Sequence, residues 1–410
     1  MDNIALQARE ARAPGAVPRH ADARDVVLGE LCSTLFSSLS RADQRGKGVE
    51  YVRGLLGAEG RKSIRNIARL AGGRATEQNL HHFISSSTWD WAPVRATLAQ
   101  YVARVAPPQA WVVQPTVIPK SGEHSVGVDR RFVPALGRVL SAQQAVAIWS
   151  ASEELSMPVN WRLHLSQAWL DDLSRRSQAS IPDDVRTRAP GEYVVESVTE
   201  LVSEWGLPSR PVVLDSWEPG GMEAVRRLRA AGLPFVVRVD STLSLDLAEP
   251  APAGHAVEAL PAHQILGAYW ERRRPVTCTH GGPDSRPQTS LVASVRVRTR
   301  PGGARSPRAG GPTAGAQDLL LLGVGSYQRR GPQELWLSDL VGLPPAELFR
   351  LTRLAGRVDR ELSPVADGVG IRDFTGRSFG GWHRHVTLAS AAHTVAALAR
   401  TDNRRPSHVS

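Results

Sequence analysis

The stretch AWVVQPTVI (residues 110–118), continued by PKSGEHSVGV (residues 119–128), decides the fold of this chain. The first part is a short apolar run that directly follows Pro107-Pro108, where a helical pattern stops. Short apolar runs bounded by helix breakers are typical of buried strands. We therefore predict that an α/β core begins at residue 107.

Two further buried strands follow, and each ends at an aspartate. Residues 211–214 end at Asp215 and residues 234–239 end at Asp240, with a helix predicted over residues 220–231 between them. A strand–helix–strand order at this spacing indicates an α/β layer. Further strands are predicted in the same part of the core, over residues 125–133, 144–150 and 160–165.

Outward from this core the pattern changes in both directions. Upstream, apolar residues recur at helical spacing, so residues 25–106 are predicted to be a helical N-terminal region preceded by a disordered tail, residues 1–24. Within that region helices are predicted from residue 25 and over residues 61–70, 76–85 and 89–105. The core's first part is assigned to residues 107–240.

Downstream, residues 241–345 are predicted to be a β-rich insertion. Its strand-like runs (residues 291–297, 319–324 and 335–338) alternate with loops rich in proline, glycine and arginine. One of these loops, residues 300–315, has low complexity and is predicted to be mobile. Residues 346–400 return to a helical pattern as the core's C-terminal helices, and a polar tail is predicted over residues 401–410.

Charge and cysteine content limit the class of protein only weakly. The net charge is +10 and the isoelectric point about 10.4, which favours a polyanion such as DNA. The alternative is the arginine-rich bias of a high-GC coding sequence. Residues 1–24 have no apolar core of a signal peptide, and no apolar run is long enough to span a membrane, so we expect a cytoplasmic protein without a membrane partner. Cys32 and Cys278 have no metal-ligand spacing and are expected to be thiols.

The segment 119–128 resembles the region after the first catalytic strand in transposases of the insertion-sequence 701 group. Other similar stretches lie at residues 61–64, 81–84, 87–91, 162–165, 169–172, 181–185, 376–378 and 381–388. The resemblance runs from about residue 28 to residue 400. It implies a ribonuclease-H-like mixed sheet with flanking helices, carrying the helical N-terminal region and the β-rich insertion.

The resemblance also implies a metal site, and this chain departs from it. In the family two aspartates and a glutamate hold divalent ions, which clamp the attacking and leaving oxygens of a phosphodiester. Where the family has Asp-Asp-Thr-Gly on the first strand, this chain has Gln114-Pro115-Thr116-Val117. The second aspartate corresponds to Asp215, and the glutamate falls at Asp359, with Glu361 close by. The chain is thus expected to be a degenerate member without the first catalytic aspartate.

Loss of that carboxylate removes one full negative charge from a site that must bind two dications. We therefore expect no strand transfer and neither a metal nor another cofactor. Mg²⁺ would bind only if a replacement carboxylate exists, for which Asp171, Asp172 and Asp240 are the candidates.

The leading functional hypothesis is a transposase-like protein repurposed as a metal-independent acid–base enzyme. Such an enzyme would catalyse elimination, conjugate addition or cyclisation of a small molecule in secondary metabolism. The family elements are expected to converge on one cleft, where clustered carboxylates have raised pKa values. The expected catalytic residues are Asp215, His124, Lys120, Glu218, Asp359 and His383. The expected substrate-binding residues are Trp217, Arg377, Arg384, His385 and Gln114.

Several alternatives stay open at this point. The chain could be a non-catalytic DNA-binding protein, or a transposase homologue of an insertion sequence with a rearranged metal site. His383 and His385 could be structural, Arg384 could be solvated or face DNA, and Lys120 could bind phosphate. A homodimer also remains open.

Overall fold

The structure, a computed structural model, describes residues 19–71, 74–133, 136–215, 221–248, 259–278, 287–299 and 318–402. The predicted mobile loop, residues 300–315, lies outside these ranges. So do residues 1–18 of the predicted disordered tail and residues 403–410 of the predicted C-terminal tail.

The N-terminal region is helical, as predicted. Its helices are α1 (Arg19–Leu35), α2 (Ala42–Gly57), α3 (Ile64–Ala71), α4 (Arg74–Ser85) and α5 (Trp91–Val105). The boundary of the predicted disordered tail is wrong over residues 19–24, which belong to α1. Once the buried residues Leu28 and Leu31 fix the helix, each added upstream residue gains one backbone hydrogen bond.

Six strands build the first part of the central sheet. They are β1 (Ala110–Pro119), β2 (Asp129–Val133), β3 (Arg138–Ala151), β4 (Ser156–Leu163), β5 (Val212–Leu214) and β6 (Phe235–Arg238). β1, β5 and β6 run parallel, whereas β3 pairs antiparallel with β1 along its full length. The predicted strand over residues 125–133 is too long. Gly127 has a φ of +73°, and the amide of Val128 bonds back to Ser125, so a turn precedes β2.

The predicted β-rich insertion continues this sheet. Its strands are β7 (Ser244–Leu247), β8 (Leu260–Pro261), β9 (Arg274–Cys278), β10 (Gln288–Arg298), β11 (Leu319–Gly325) and β12 (Glu334–Ser338). β12 pairs antiparallel with β6, which gives the order β2-β3-β1-β5-β6-β12-β11-β10-β7-β8. The insertion therefore extends the core sheet directly.

The remaining helices cover the sheet. They are α6 (Gln167–Asp171), α7 (Leu173–Gln178), α8 (Pro190–Thr199), α9 (Gly221–Ala230), α10 (Ala262–Tyr269), α11 (Pro345–Glu361) and α12 (Phe379–Asp402). α11 packs on β1 and β5, and α12 packs on β4 and on the N-terminal helices. Residues 381–397 of α12 are all buried. The predicted ribonuclease-H-like mixed sheet with flanking helices is confirmed. In the described part of the chain, no helix has the length and apolarity needed to cross a membrane.

Candidate active site

A row of three side chains crosses the carboxyl ends of the parallel strands. The register pairs Val113 of β1 with Leu214 of β5, and Leu214 with Val237 of β6. The next residues along the three strands are Gln114, Asp215 and Arg238. Neighbouring residues in register point to the same face of a sheet, so these three side chains lie side by side.

An ion pair joins two members of this row. Nη1 of Arg238 donates to both carboxylate oxygens of Asp215, at 3.0 and 3.3 Å. The two side chains are only 14% and 21% exposed. The guanidinium also lies 6.0 Å from the ring centroid of Trp336 on β12. A cation is thus built into the sheet beside the second aspartate.

Asp359 reaches the same row from the helix above it. α11 packs on β1 and β5, and this brings Asp359 close to Asp215 and Gln114. Burial raises the pKa of Asp359, and the neighbouring Asp215 carboxylate raises it further. The side chain of Gln114 hydrogen-bonds the carboxylate and opposes that shift. The structure therefore brings together Gln114, Asp215 and Asp359 from three distant segments. Glu361 points elsewhere, to Arg400 at 3.1 Å.

This set of side chains does not fit the two metal ions that the resemblance implies. Mg²⁺ is a hard cation that binds carboxylate oxygens. The row offers two carboxylates, one of them already held by Arg238, and the neutral amide of Gln114. Among the residues that the structure describes, no group of three or more histidine, cysteine, aspartate or glutamate side chains is placed to hold a metal ion.

The three candidate replacement carboxylates are engaged elsewhere. Asp171 accepts a hydrogen bond from Gln167, and Asp172 caps α7 by accepting from the amide of Arg175. Asp240 accepts from the amide and hydroxyl of Thr242 in the turn after β6. All three are exposed. The expectation that one of them supplies the missing ligand is not supported by their contacts.

Lys120 and His124 lie at the far end of β1, so their predicted place in the cleft is wrong. The β1–β3 register is continuous to Pro119, and a strand rises about 3.3 Å per residue, which separates Lys120 from Gln114 by about 20 Å. Nζ of Lys120 donates to the carbonyl oxygens of Arg372 and Phe374, at 3.1 and 2.6 Å. Burial lowers the pKa of Lys120 to about 8. His124 is exposed in the following loop.

His383 is a helix-packing residue, which corrects its assignment to the cleft. It is 3% exposed, and its ring stacks on Trp91 with a centroid distance of 4.9 Å. Nη2 of Arg95 donates to its Nδ1 at 3.2 Å. Burial, followed by the nearby charge of Arg95, holds the pKa of His383 well below its usual range.

Arg384 and His385 are likewise inside the packing of α12. Arg384 donates to the carbonyl oxygens of Trp89 and Ile84, at 3.0 and 3.1 Å. His385 accepts from the hydroxyl of Tyr51 at 2.9 Å and donates from Nε2 to Gly370 at 2.8 Å. Their predicted substrate-binding role is corrected for the same reason, since this segment of α12 is covered by its neighbours.

The remaining predicted residues divide into two groups. Arg377 is exposed in the loop before α12. Trp217 and Glu218 lie outside the described residues. Arg238 was not among the residues predicted from the sequence, although its strand was predicted. Arg238 is the last residue of β6 and lay inside the predicted strand, so nothing in the sequence pattern set it apart.

Comparison with known proteins agrees with the fold. The family described as DDE superfamily endonuclease matches residues 34–277, more than half of the chain. This region includes Gln114, Asp215 and Arg238 and stops before Asp359. The chain is also 21% identical over 215 residues to a protein named "Probable transposase for insertion sequence element IS701" from Microchaete diplosiphon. That match covers 52% of this chain and 50% of the relative, so the chain spans about half of the relative's length. The protein belongs to the DDE superfamily endonuclease family.

Proposed function

We propose that this protein is a transposase-like DNA-binding protein that does not perform two-metal strand transfer. The observation that carries the proposal is the ion pair of Asp215 with Arg238, next to the neutral Gln114. Membership of the endonuclease family and the net charge of +10 favour DNA as the partner.

The charges of the row explain why metal affinity should be low. A dication at Asp215 must displace the guanidinium of Arg238 or lie beside it, and like charges repel strongly where water is scarce. Gln114 contributes at most a neutral carbonyl oxygen.

Calorimetric titration with MnCl₂ tests this proposal on three proteins. We expect no saturable heat for the wild type at millimolar Mn²⁺. Gln114→Asp combined with Arg238→Met should show measurable binding, because the row then holds three carboxylates and no cation. Gln178→Asp, on the exposed end of α7, adds one negative charge elsewhere and should behave like the wild type.

The outcome that would overturn the proposal is equally concrete. It is tight Mn²⁺ binding by the wild type, abolished by Asp215→Asn, together with metal-dependent cleavage of duplex DNA. Failure of the wild-type protein to bind duplex DNA at low salt would contradict the DNA-binding part of the proposal.

A second candidate function is metal-independent acid–base catalysis on a small molecule. The raised pKa of Asp359, beside Asp215 and Gln114, favours it, because a pKa shifted upward brings a carboxyl group closer to the range in which it can donate a proton. For this candidate, any turnover found by screening should be lost in Asp359→Asn while DNA binding persists. Turnover that survives Asp359→Asn would reject the assignment of Asp359 as the acid.

A further inference from the structure

A groove lies at the end of the sheet opposite the row of side chains described above. It encloses about 590 Å³ and lies between the segments that lead into β1 and β5, the turn between β3 and β4, and the first turns of α11. The apolar part of its lining consists of Pro107, Pro108, Pro211, Leu343 and Leu351, so we call it the proline groove. The chemistry at the row makes no use of these residues.

Hydrogen bonds to the backbone hold the segments around the proline groove in place. Oε1 of Gln109 accepts from the amide of Glu153 at 3.0 Å, and Nη1 of Arg357 donates to the carbonyl oxygen of Glu153 at 2.7 Å. Nε of Arg210 donates to the carbonyl oxygen of Pro108 at 2.9 Å, which joins the segment before β5 to the segment before β1. Proline side chains lose no rotamer freedom when they are covered. The groove is therefore preformed, and a partner that covers it orders few side chains.

The charges that line the proline groove balance one another. Glu153 and Glu347 are matched by Arg210 and Arg350, and all four residues are exposed. Nε of Arg350 lies 4.0 Å from a carboxylate oxygen of Glu153. The whole chain has a net charge of +10, so two copies repel each other on average, and a neutral, partly apolar surface is where that repulsion is weakest. The two carboxylates also disfavour a phosphate backbone as the partner at this place.

This charge pattern is complementary to itself across a two-fold axis. In an isologous contact the same surface faces itself, so a glutamate of one copy can lie opposite an arginine of the other, and symmetry forms the reverse pair. Pro344 and Pro345 are exposed at the start of α11, next to the lining residues Leu343 and Glu347. These two prolines of each copy can therefore enter the groove of the other copy. Such a contact leaves the carboxyl ends of β1 and β5 uncovered.

We propose that the proline groove is a two-fold interface between two copies of this chain, with Pro344 and Pro345 of each copy seated in the groove of the other. This inference goes beyond the proposed function, because the pairing needs neither DNA nor a metal ion.

Sedimentation equilibrium of the full chain, without DNA, tests the interface. We expect the wild type to pass from a single chain of 44.4 kDa to a pair of chains at roughly micromolar concentration. Arg350→Glu makes the charges of the groove net negative and Glu347→Arg makes them net positive, so each variant should have a dimer dissociation constant at least about tenfold higher. An equimolar mixture of the two variants should recover most of the wild-type affinity, because opposite charges then face each other.

The matched control is Arg329→Glu, which makes the same charge change in the exposed loop between β11 and β12. Both arginine variants lower the net positive charge, so a general charge effect would strengthen pairing in both. The interface predicts weaker pairing for Arg350→Glu alone, and circular dichroism excludes misfolding as its cause.

Three outcomes would overturn the inference. They are a wild type that remains a single chain at roughly a hundred times micromolar concentration, pairing that neither groove variant weakens, and a mixture of the two variants that fails to pair. All of these measurements omit DNA and Mn²⁺, so their failure leaves the proposed function untouched.

Discussion

Arg238 decides what the row on the sheet can do, because its guanidinium supplies the positive charge beside Asp215. We expect Arg238→Met to lower the free energy of unfolding by roughly 1.5–3 kcal/mol, as for other hydrogen bonds to charged groups. Urea unfolding measures this change. Asp215→Asn in the Arg238→Met background should restore part of the loss, since no unpaired carboxylate then remains. Independent, additive effects of the two substitutions would contradict the ion pair.

Asp359 gives a pH dependence of a definite sign. Its pKa is raised in the folded state, so the folded protein binds more protons than the unfolded chain between the unfolded and folded pKa values. The pKa shift of Asp359 therefore has no effect on stability at low pH. Once the pH exceeds the pKa of Asp359 in the folded state, the shift lowers the free energy of unfolding by its full amount. Asp359→Asn should stabilise the protein increasingly as pH rises from about 4 toward neutrality.

The half-buried Glu223 has a pKa shift of the opposite sign and serves as a control. Hydrogen bonds from Arg226 and Arg227 lower its pKa, so its contribution is present above the unfolded pKa and is lost as pH falls through the folded value. Glu223→Gln should thus become relatively less stable as pH rises over the same range. Parallel pH profiles for the two variants, measured by urea unfolding, would show that the shift at Asp359 is not specific.

At the same scale, three of the four side chains that lie together at the row were named from the sequence. Gln114, Asp215 and Asp359 meet as expected, because each occupies a motif position on a strand or helix whose place in the sheet is fixed. Arg238 was missed, because its approach depends on the register between two strands, which the one-dimensional pattern does not contain. His383 and His385 were assigned to the cleft because their motif was expected to converge there, whereas their buried hydrogen bonds agree with the structural alternative.

Among the elements, α5, β4 and α12 are held together by one buried cation. Arg95 is 2% exposed and donates to Thr387, to the carbonyl of Trp161 and to the carbonyl of His383, at 3.0, 2.9 and 3.1 Å. Arg95→Met would remove these three buried hydrogen bonds. We expect a loss of about 2–4 kcal/mol in the free energy of unfolding.

The matched control lies on the same helix. Arg104 is exposed near the end of α5, and Arg104→Ala should change stability by less than about 0.5 kcal/mol. Equal melting temperatures for the Arg95 and Arg104 variants would show that the buried contacts of Arg95 contribute nothing.

The elements themselves were largely predictable from periodicity. Strands such as β1, β11 and β12 are continuous apolar runs, and helices such as α11 repeat apolar residues every three to four positions. What periodicity could not show is which strands become neighbours. β12 lies beside β6 although about a hundred residues separate them, so a segment predicted to be an insertion belongs to the core sheet.

For the molecule as a whole, this pairing predicts that residues 241–343 cannot be removed. Their excision would uncover the β6 edge, where Phe235, Val236 and Val237 are all fully buried. Such an apolar edge promotes aggregation. We expect the shortened protein to be insoluble, as judged by sedimentation after expression.

A smaller deletion is the control. β10 and β11 are antiparallel neighbours with Val297 opposite Leu319, so a short glycine–serine linker in place of residues 300–317 can join them. That variant should remain soluble and unfold cooperatively. A soluble, cooperatively folded protein after the larger excision would show that the extended sheet is dispensable.

The central position of α12 has a consequence for how the protein is made. Thr387, a hydrogen-bond partner of Arg95, is synthesised 292 residues later. At about 5–20 residues per second, the ribosome needs about 15–60 s to synthesise the intervening chain. During this time the apolar faces of α1 and α5 have emerged without the helix that covers them. We therefore expect the nascent chain to be prone to aggregation for most of its synthesis. A product truncated before α12 should be degraded, so that a cell keeps this protein only when translation has passed through the last helix.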